Sequence, residues 1–109
     1  MAYDPRNLKL IPKTVASGHQ VSIEDEGYLL LVSNGASVAT IECPAGFDPQ
    51  EGFRFAVACD SSGGVDVTAG AGITVQAPAG TGSPAGVQWS LLEVVYLGSS
   101  QWLLGGNLA

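Results

Sequence analysis

Glycine-bearing turns cut this chain into pieces too short for anything but strands. Gly27, the Asn34-Gly35 pair, Gly52, Gly63-Gly64, Gly70 with Gly72, and Gly98 each close off a short apolar run. Glycine reverses a chain cheaply because it enters the φ > 0 region without a Cβ clash. Turn signals spaced about 8–12 residues apart are the mark of a small all-β domain. The runs between them agree. Val21 and Ile23 alternate with Gln20, Ser22 and Glu24, and Ala39, Ile41 and Cys43 alternate with Val38, Thr40 and Glu42. Phe53, Phe55 and Val57 alternate with Arg54, Ala56 and Ala58. Tyr28 to Val32 is continuously apolar, which predicts a strand buried on both faces. Val87 to Leu97 predicts the longest strand, with Trp89, Leu91, Val95 and Leu97 on one parity, and Gln101 to Leu104 its return.

The expected fold is therefore all-β, a small β-sandwich or β-barrel of about eight short strands, jelly-roll-like or up-and-down. Asn34-Gly35 predicts a tight hairpin turn, and Val65 to Gln76 predicts a second hairpin around Ala69 to Gly72. The expected core is Val21, Ile23, Leu29, Leu31, Ile41, Phe53, Phe55, Val57, Val67, Val75, Trp89, Leu91, Val95 and Leu103. Residues 1–16 read differently. Asp4, Pro5 and Pro12 block regular structure, which predicts an extended N-terminal arm (1–16) ahead of a β-domain (17–109), with Leu8, Leu10 and Ile11 as an apolar anchor. At 109 residues the chain has room for one domain.

Charge narrows the function classes. The formal net charge is −6. Arg6, Lys9 and Lys13 against Asp4 make the first 13 residues +2, while Arg54 alone against nine acids makes the rest −8. A body with one cation cannot neutralise phosphates, so no nucleic-acid partner is expected. No run approaches the roughly 18 apolar residues of a membrane helix, and the first 12 residues lack the apolar stretch of a secretion signal, so no membrane partner is expected.

The search for chemistry returns little. Cys43 and Cys59 each end an apolar run, and with His19 the sole histidine they form no zinc-type ligand set. They read as two buried thiols on neighbouring strands, with a disulfide open to them where those strands pair. His19 has no GxSxG elbow to serve, and it reads as a surface residue beside a turn. Glu24, Asp25 and Glu26 read as a solvated turn rather than a catalytic carboxylate pair. Asp60 to Asp66 lacks the spacing and closing Glu of a calcium loop, and Gly70 and Gly72 lack the Lys and helix of a phosphate loop. Trp89, Trp102, Tyr28 and Tyr96 could stack on sugars if exposed, but each sits within a predicted strand where core packing is its expected use. No enzyme activity, cofactor or metal is expected.

The order of elements carries one resemblance. Gly52-Phe53-Arg54-Phe55 opens it, followed by Asp60 to Gly64, Val65-Asp66-Val67-Thr68, and Gly70-Ala71-Gly72-Ile73-Thr74-Val75. A Gly/Ala/Pro/Thr loop, Trp89 to Leu97, and Gln101-Trp102-Leu103-Leu104-Gly105-Gly106-Asn107-Leu108 complete it. Over residues 25–109 this resembles the small all-β virion modules of tailed bacteriophages. The resemblance implies a structural virion protein, a head decoration (cement) protein that binds and stabilises the capsid lattice. The alternative it implies is a tail-fibre or tail-tip receptor-binding or carbohydrate-binding module. Its implied partners are the major capsid protein and further copies of itself as a homotrimer, and its implied place is the virion, assembled in the host cytoplasm. On that reading the arm residues Arg6, Leu8, Lys9, Leu10, Ile11 and Lys13 are the expected capsid contacts.

Overall fold

The computed structural model describes residues 10–78 and 83–106. The chain is all-β. Its strands are β1 (Ile11–Ala16), β2 (His19–Gln20), β3 (Tyr28–Ser33), β4 (Ala39–Cys43), β5 (Arg54–Cys59), β6 (Val65–Ala69), β7 (Thr74–Gln76), β8 (Leu92–Gly98) and β9 (Gln101–Gly106). A 3-10 turn, Ile23–Asp25, joins β2 to β3.

The strands form a six-stranded sheet, β1-β3-β5-β8-β9-β7, and a three-stranded sheet, β2-β4-β6. β1, β3 and β5 run parallel, as do β2, β4 and β6. Parallel neighbours cannot be joined by a tight turn, and here each connection passes through the opposite sheet. The path is a solenoid-like coil, alternating between the two sheets for three passes. The Asn34-Gly35 turn does not close a hairpin, since β3 and β4 lie in different sheets. The predicted hairpin around Ala69 to Gly72 is also absent: β6 stays in the small sheet and β7 joins β9 in the large one. The pairing is decided by side chains far apart in sequence, and turn chemistry alone cannot report it. Among the described residues, the true hairpin of the large sheet is β8–β9, closed through Gly98, Ser99 and Ser100, all with positive φ.

Backbone hydrogen bonds tie one pass to the next at the corners. Gly63 N–H donates to Gly35 O at 3.0 Å, and Ala39 N–H to Gly64 O at 2.9 Å. At the other end, Gly70 N–H donates to Cys43 O at 2.9 Å. Gly63 shows why glycine is needed there: a Cβ on it would lie 1.9 Å from the Ser37 carbonyl oxygen.

The core fills the space between the sheets. Leu30 and Val32 of β3, Phe55 and Val57 of β5, Leu92, Val94 and Tyr96 of β8, and Trp102 and Leu104 of β9 face Ala39, Ile41, Cys43 and Val65 of the small sheet. Trp102 is the hub, with ring centroids 4.8 Å from Tyr96, 5.8 Å from Phe53 and Phe55, and 6.2 Å from Phe47. Of the expected core, Val21, Ile41, Phe53, Phe55 and Val57 are buried. Leu29, Leu31, Val67, Val75 and Val95 are half-buried, and Ile23, Trp89, Leu91 and Leu103 are exposed. In β3, β8 and β9 the parity is one residue off the expected one. A run such as Leu29 to Val32 has no polar partner to mark its outer face, so its sequence is silent on which parity turns inward.

Candidate functional site

Two places carry chemistry or unspent surface. The first is a buried charge cluster in the first pass. Lys13 in β1 lies beside Leu30 in register, so its stem points inward. His19 stands at the start of β2, and Asp25 ends the 3-10 turn. They converge. Lys13 Nζ donates to Asp25 Oδ1 at 2.7 Å, His19 Nε2 lies 2.9 Å from Oδ2, and Ser22 N–H donates to Oδ2 at 2.9 Å. The Asp25 side chain is 0% exposed. Burial opposes its ionisation, but the hydrogen bonds from Lys13, His19 and Ser22 outweigh that and hold the carboxyl below its ordinary value. Its hydrogen bond to Asp25, opposed by burial and aided by that carboxylate's charge, raises Lys13. The Lys13 ammonium also lies 4.8 Å from the Tyr28 ring centre. The expectation of a solvated Glu24–Asp25–Glu26 turn is thus corrected at Asp25, and a bare surface role for His19 is corrected with it. The signal was hidden because Lys13, His19 and Asp25 lie on three separate elements. With both oxygens taken, the carboxylate acts as a clamp joining β1, β2 and the 3-10 turn.

This placement also revises the arm. Ile11–Ala16, expected within an extended segment, form β1 and pair along their length with β3. Arg6, Leu8 and Lys9 lie outside the described residues. Leu10 is half-buried, Ile11 is exposed, and Lys13 is engaged by Asp25 rather than offered to a partner. Nor is the open edge of β1 an easy site for an added strand. Ile11 N–H donates toward β3, to Gly27 O, so by alternation Pro12, Thr14 and Ala16 face the edge. Pro12 lacks an N–H there, and Lys13 is an inward charge. Both are features that blunt edge strands.

The second place is the outward face of the large sheet. Register sets Pro12, Leu29, Ala56, Glu93 and Gly105 side by side across five strands. Thr14, Leu31 and Ala58 form a second row, and Arg54, Val95, Leu103 and Gln76 a third. Leu29, Leu31 and Val95 are half-buried, while Leu97 and Leu103 are each 46% exposed. The charges in these rows are Arg54 and Glu93, which meet at 3.4 Å. Towards β7 the face deepens into a groove of about 480 Å³, floored by Glu93, Val95, Leu103 and Gly105 and walled by Gln76, Ala77 and Pro78.

Trp89 stands in the turn that leads into β8. It is 67% exposed and holds φ at 66°, with its N–H donating to Cys59 O at 2.8 Å. Ser90 N–H closes the turn onto Val87 O at 3.0 Å. Positive φ is uncommon for a bulky residue, and such outliers cluster at functional positions. Of the four candidate stacking aromatics, Tyr96 and Trp102 are buried and Tyr28 is half-buried under Lys13; Trp89 is the exposed one.

The cysteines are both free and buried. They stand in different sheets, Cys43 in β4 and Cys59 in β5, rather than on neighbouring strands. Burial, reinforced by Glu42, pushes the Cys43 thiol up to about 12, which makes it a packing residue. Among the described residues no group of three or more His, Cys, Asp or Glu side chains is placed to hold a metal ion.

Comparison with protein-family models, with curated proteins and with solved structures finds no match to this chain.

Proposed function

We propose that this chain is a structural assembly protein, a virion module of the head-decoration type that works by docking rigid β-surface onto protein neighbours. The observation that carries it is the outward face of the large sheet. Its strands place Leu29, Leu31, Val95 and Leu103 in rows interrupted by one Arg–Glu pair. Contiguous apolar surface of this kind marks interaction sites. The resemblance to phage modules names the class of neighbour, a coat-protein lattice. The test is to add the purified chain to capsids built from the coat protein of the virus that encodes it. Saturating binding at a fixed copy number, with a raised capsid melting temperature, is the expected result. No binding at micromolar chain would overturn the decoration reading.

Trp89 favours a second reading, a glycan-binding module. An exposed indole on a pinned turn can stack on a pyranose ring. Titration with host-surface polysaccharide should then quench tryptophan fluorescence, and Trp89→Ala should abolish the quenching without changing the melting temperature by more than a degree or two. Buried Trp102 supplies the internal reference signal.

A further inference from the structure

We infer that the outward face of the six-stranded sheet is a self-association surface, covered by the same face of a second copy of this chain. Three observations choose that occupant. The first is demand. β3 reads Tyr-Leu-Leu-Leu-Val, the composition of a strand buried on both sides. Among the described residues the Leu30 and Val32 side is buried, while Leu29 and Leu31 on the other side are half-covered. These two leucines lack a full outer layer among the described residues.

The second is charge. Beyond residue 13 the chain carries −8, so two copies repel one another over most orientations. The outward rows hold one Arg54 and one Glu93, and are therefore neutral. They are also self-complementary. The existing pair is long, 3.4 Å, between half-exposed side chains. A two-fold axis through this region sets each Arg54 against the other copy's Glu93, so that a loose intrachain pair becomes two interchain pairs.

The third is size. Six strands about 4.8 Å apart and about six residues long, at about 3.3 Å per residue, cover roughly 600 Å². Two copies then bury roughly 1,200 Å², the lower bound of specific, stable interfaces. Sheet-on-sheet packing of this kind is the ordinary way a twisted sheet covers an apolar face.

This inference rests on reading the chain as an assembly protein, but it is tested without a capsid. Sedimentation of the full chain at micromolar concentration should show an oligomer. Leu103→Glu should weaken it by about tenfold or more, while Ala71→Glu, on the exposed turn before β7, leaves it intact. Circular dichroism and melting show that both variants fold. The deciding measurement uses single charge reversals. Arg54→Glu and Glu93→Arg should each associate poorly alone, and an equimolar mixture should recover association as a heterodimer. A chain that stays monomeric, an oligomer that survives Leu103→Glu, or a mixture that fails to recover association overturns the inference. Association without capsid binding would leave it standing and remove the decoration reading; capsid binding by a monomer would do the reverse.

Discussion

At the scale of single residues, Asp25 decides most. Its carboxylate is buried and held by groups from three segments, so removing it leaves Lys13 and His19 facing a void. Breaking a buried ion pair costs about 3–5 kcal/mol. Lys13 keeps 32% of its side-chain exposure and His19 24%, which lets water soften the loss. Asp25→Ala should therefore cost about 2–3 kcal/mol in denaturant unfolding. The pH dependence follows from the directions of the shifts. Asp25 is lowered, so its contribution is complete above the unfolded value of about 3.9 and is lost as pH falls through the lower folded value. Lys13 is raised, so its contribution is complete below the unfolded value of about 10.4 and is lost as pH rises through the higher folded value. Melting temperature should therefore fall on acidification below about pH 4 more steeply in the wild type than in Asp25→Asn. The aromatic hub sets the other residue-scale expectation. Phe55 is 0% exposed against Trp102, and Phe55→Ala should cost about 3–5 kcal/mol; an unchanged melting curve would remove it from the core.

At the scale of elements, the coil depends on how its corners stack. The turn after β5 lies against the turn after β3, with Gly63 against the Ser37 carbonyl. Gly63→Ala forces the two corners apart and should destabilise the fold by about 1–3 kcal/mol, measured by urea midpoint. Gly72, whose added Cβ would meet nothing within 4 Å, is the contrast: its strain is conformational alone, at φ +78°. The coil also explains why no repeat shows in the sequence. Ile11 sits beside Tyr28, 17 residues on, but Leu29 sits beside Ala56, 27 residues on. Successive passes differ in length because the corners bulge by different amounts, and unequal passes leave no period to read.

At the scale of the whole molecule, the two ends of the coil are finished differently. Beyond β5 the antiparallel β8–β9 hairpin extends the large sheet, and β7, parallel to β9, forms its far edge. The first pass ends at the blunted edge of β1, with the Asp25 clamp beneath it. Deleting residues 2–13 therefore removes Ile11, Pro12 and Lys13 from β1 together with any partner-binding role of the segment, and should lower the melting temperature as Asp25→Ala does. Deleting residues 2–9 spares the strand. If the segment binds capsid, the shorter deletion should lose capsid binding while keeping the wild-type melting temperature; an equal loss of stability in both would show that the segment serves the fold instead.

The sequence by itself determined that the chain is all-β, where most strands begin and end, and which aromatics anchor the middle strand. Turn glycines and alternation are local signals, and Phe53, Phe55 and Val57 are marked by Arg54 between them. It also carried the apolar excess of Tyr28 to Val32, without saying whether a layer of the same chain would cover both faces. Tertiary structure alone decided the rest. Parallel pairing joins strands 17 to 27 residues apart and the antiparallel β5–β8 pair joins residues up to 41 apart, and no local rule fixes either. Parity in Leu29 to Val32 depends on which side chains meet Ile41 and Trp102. The Asp25 cluster joins residues 6 and 12 apart in sequence on three elements; each reads alone as a surface polar group, and only the fold removes the water between them.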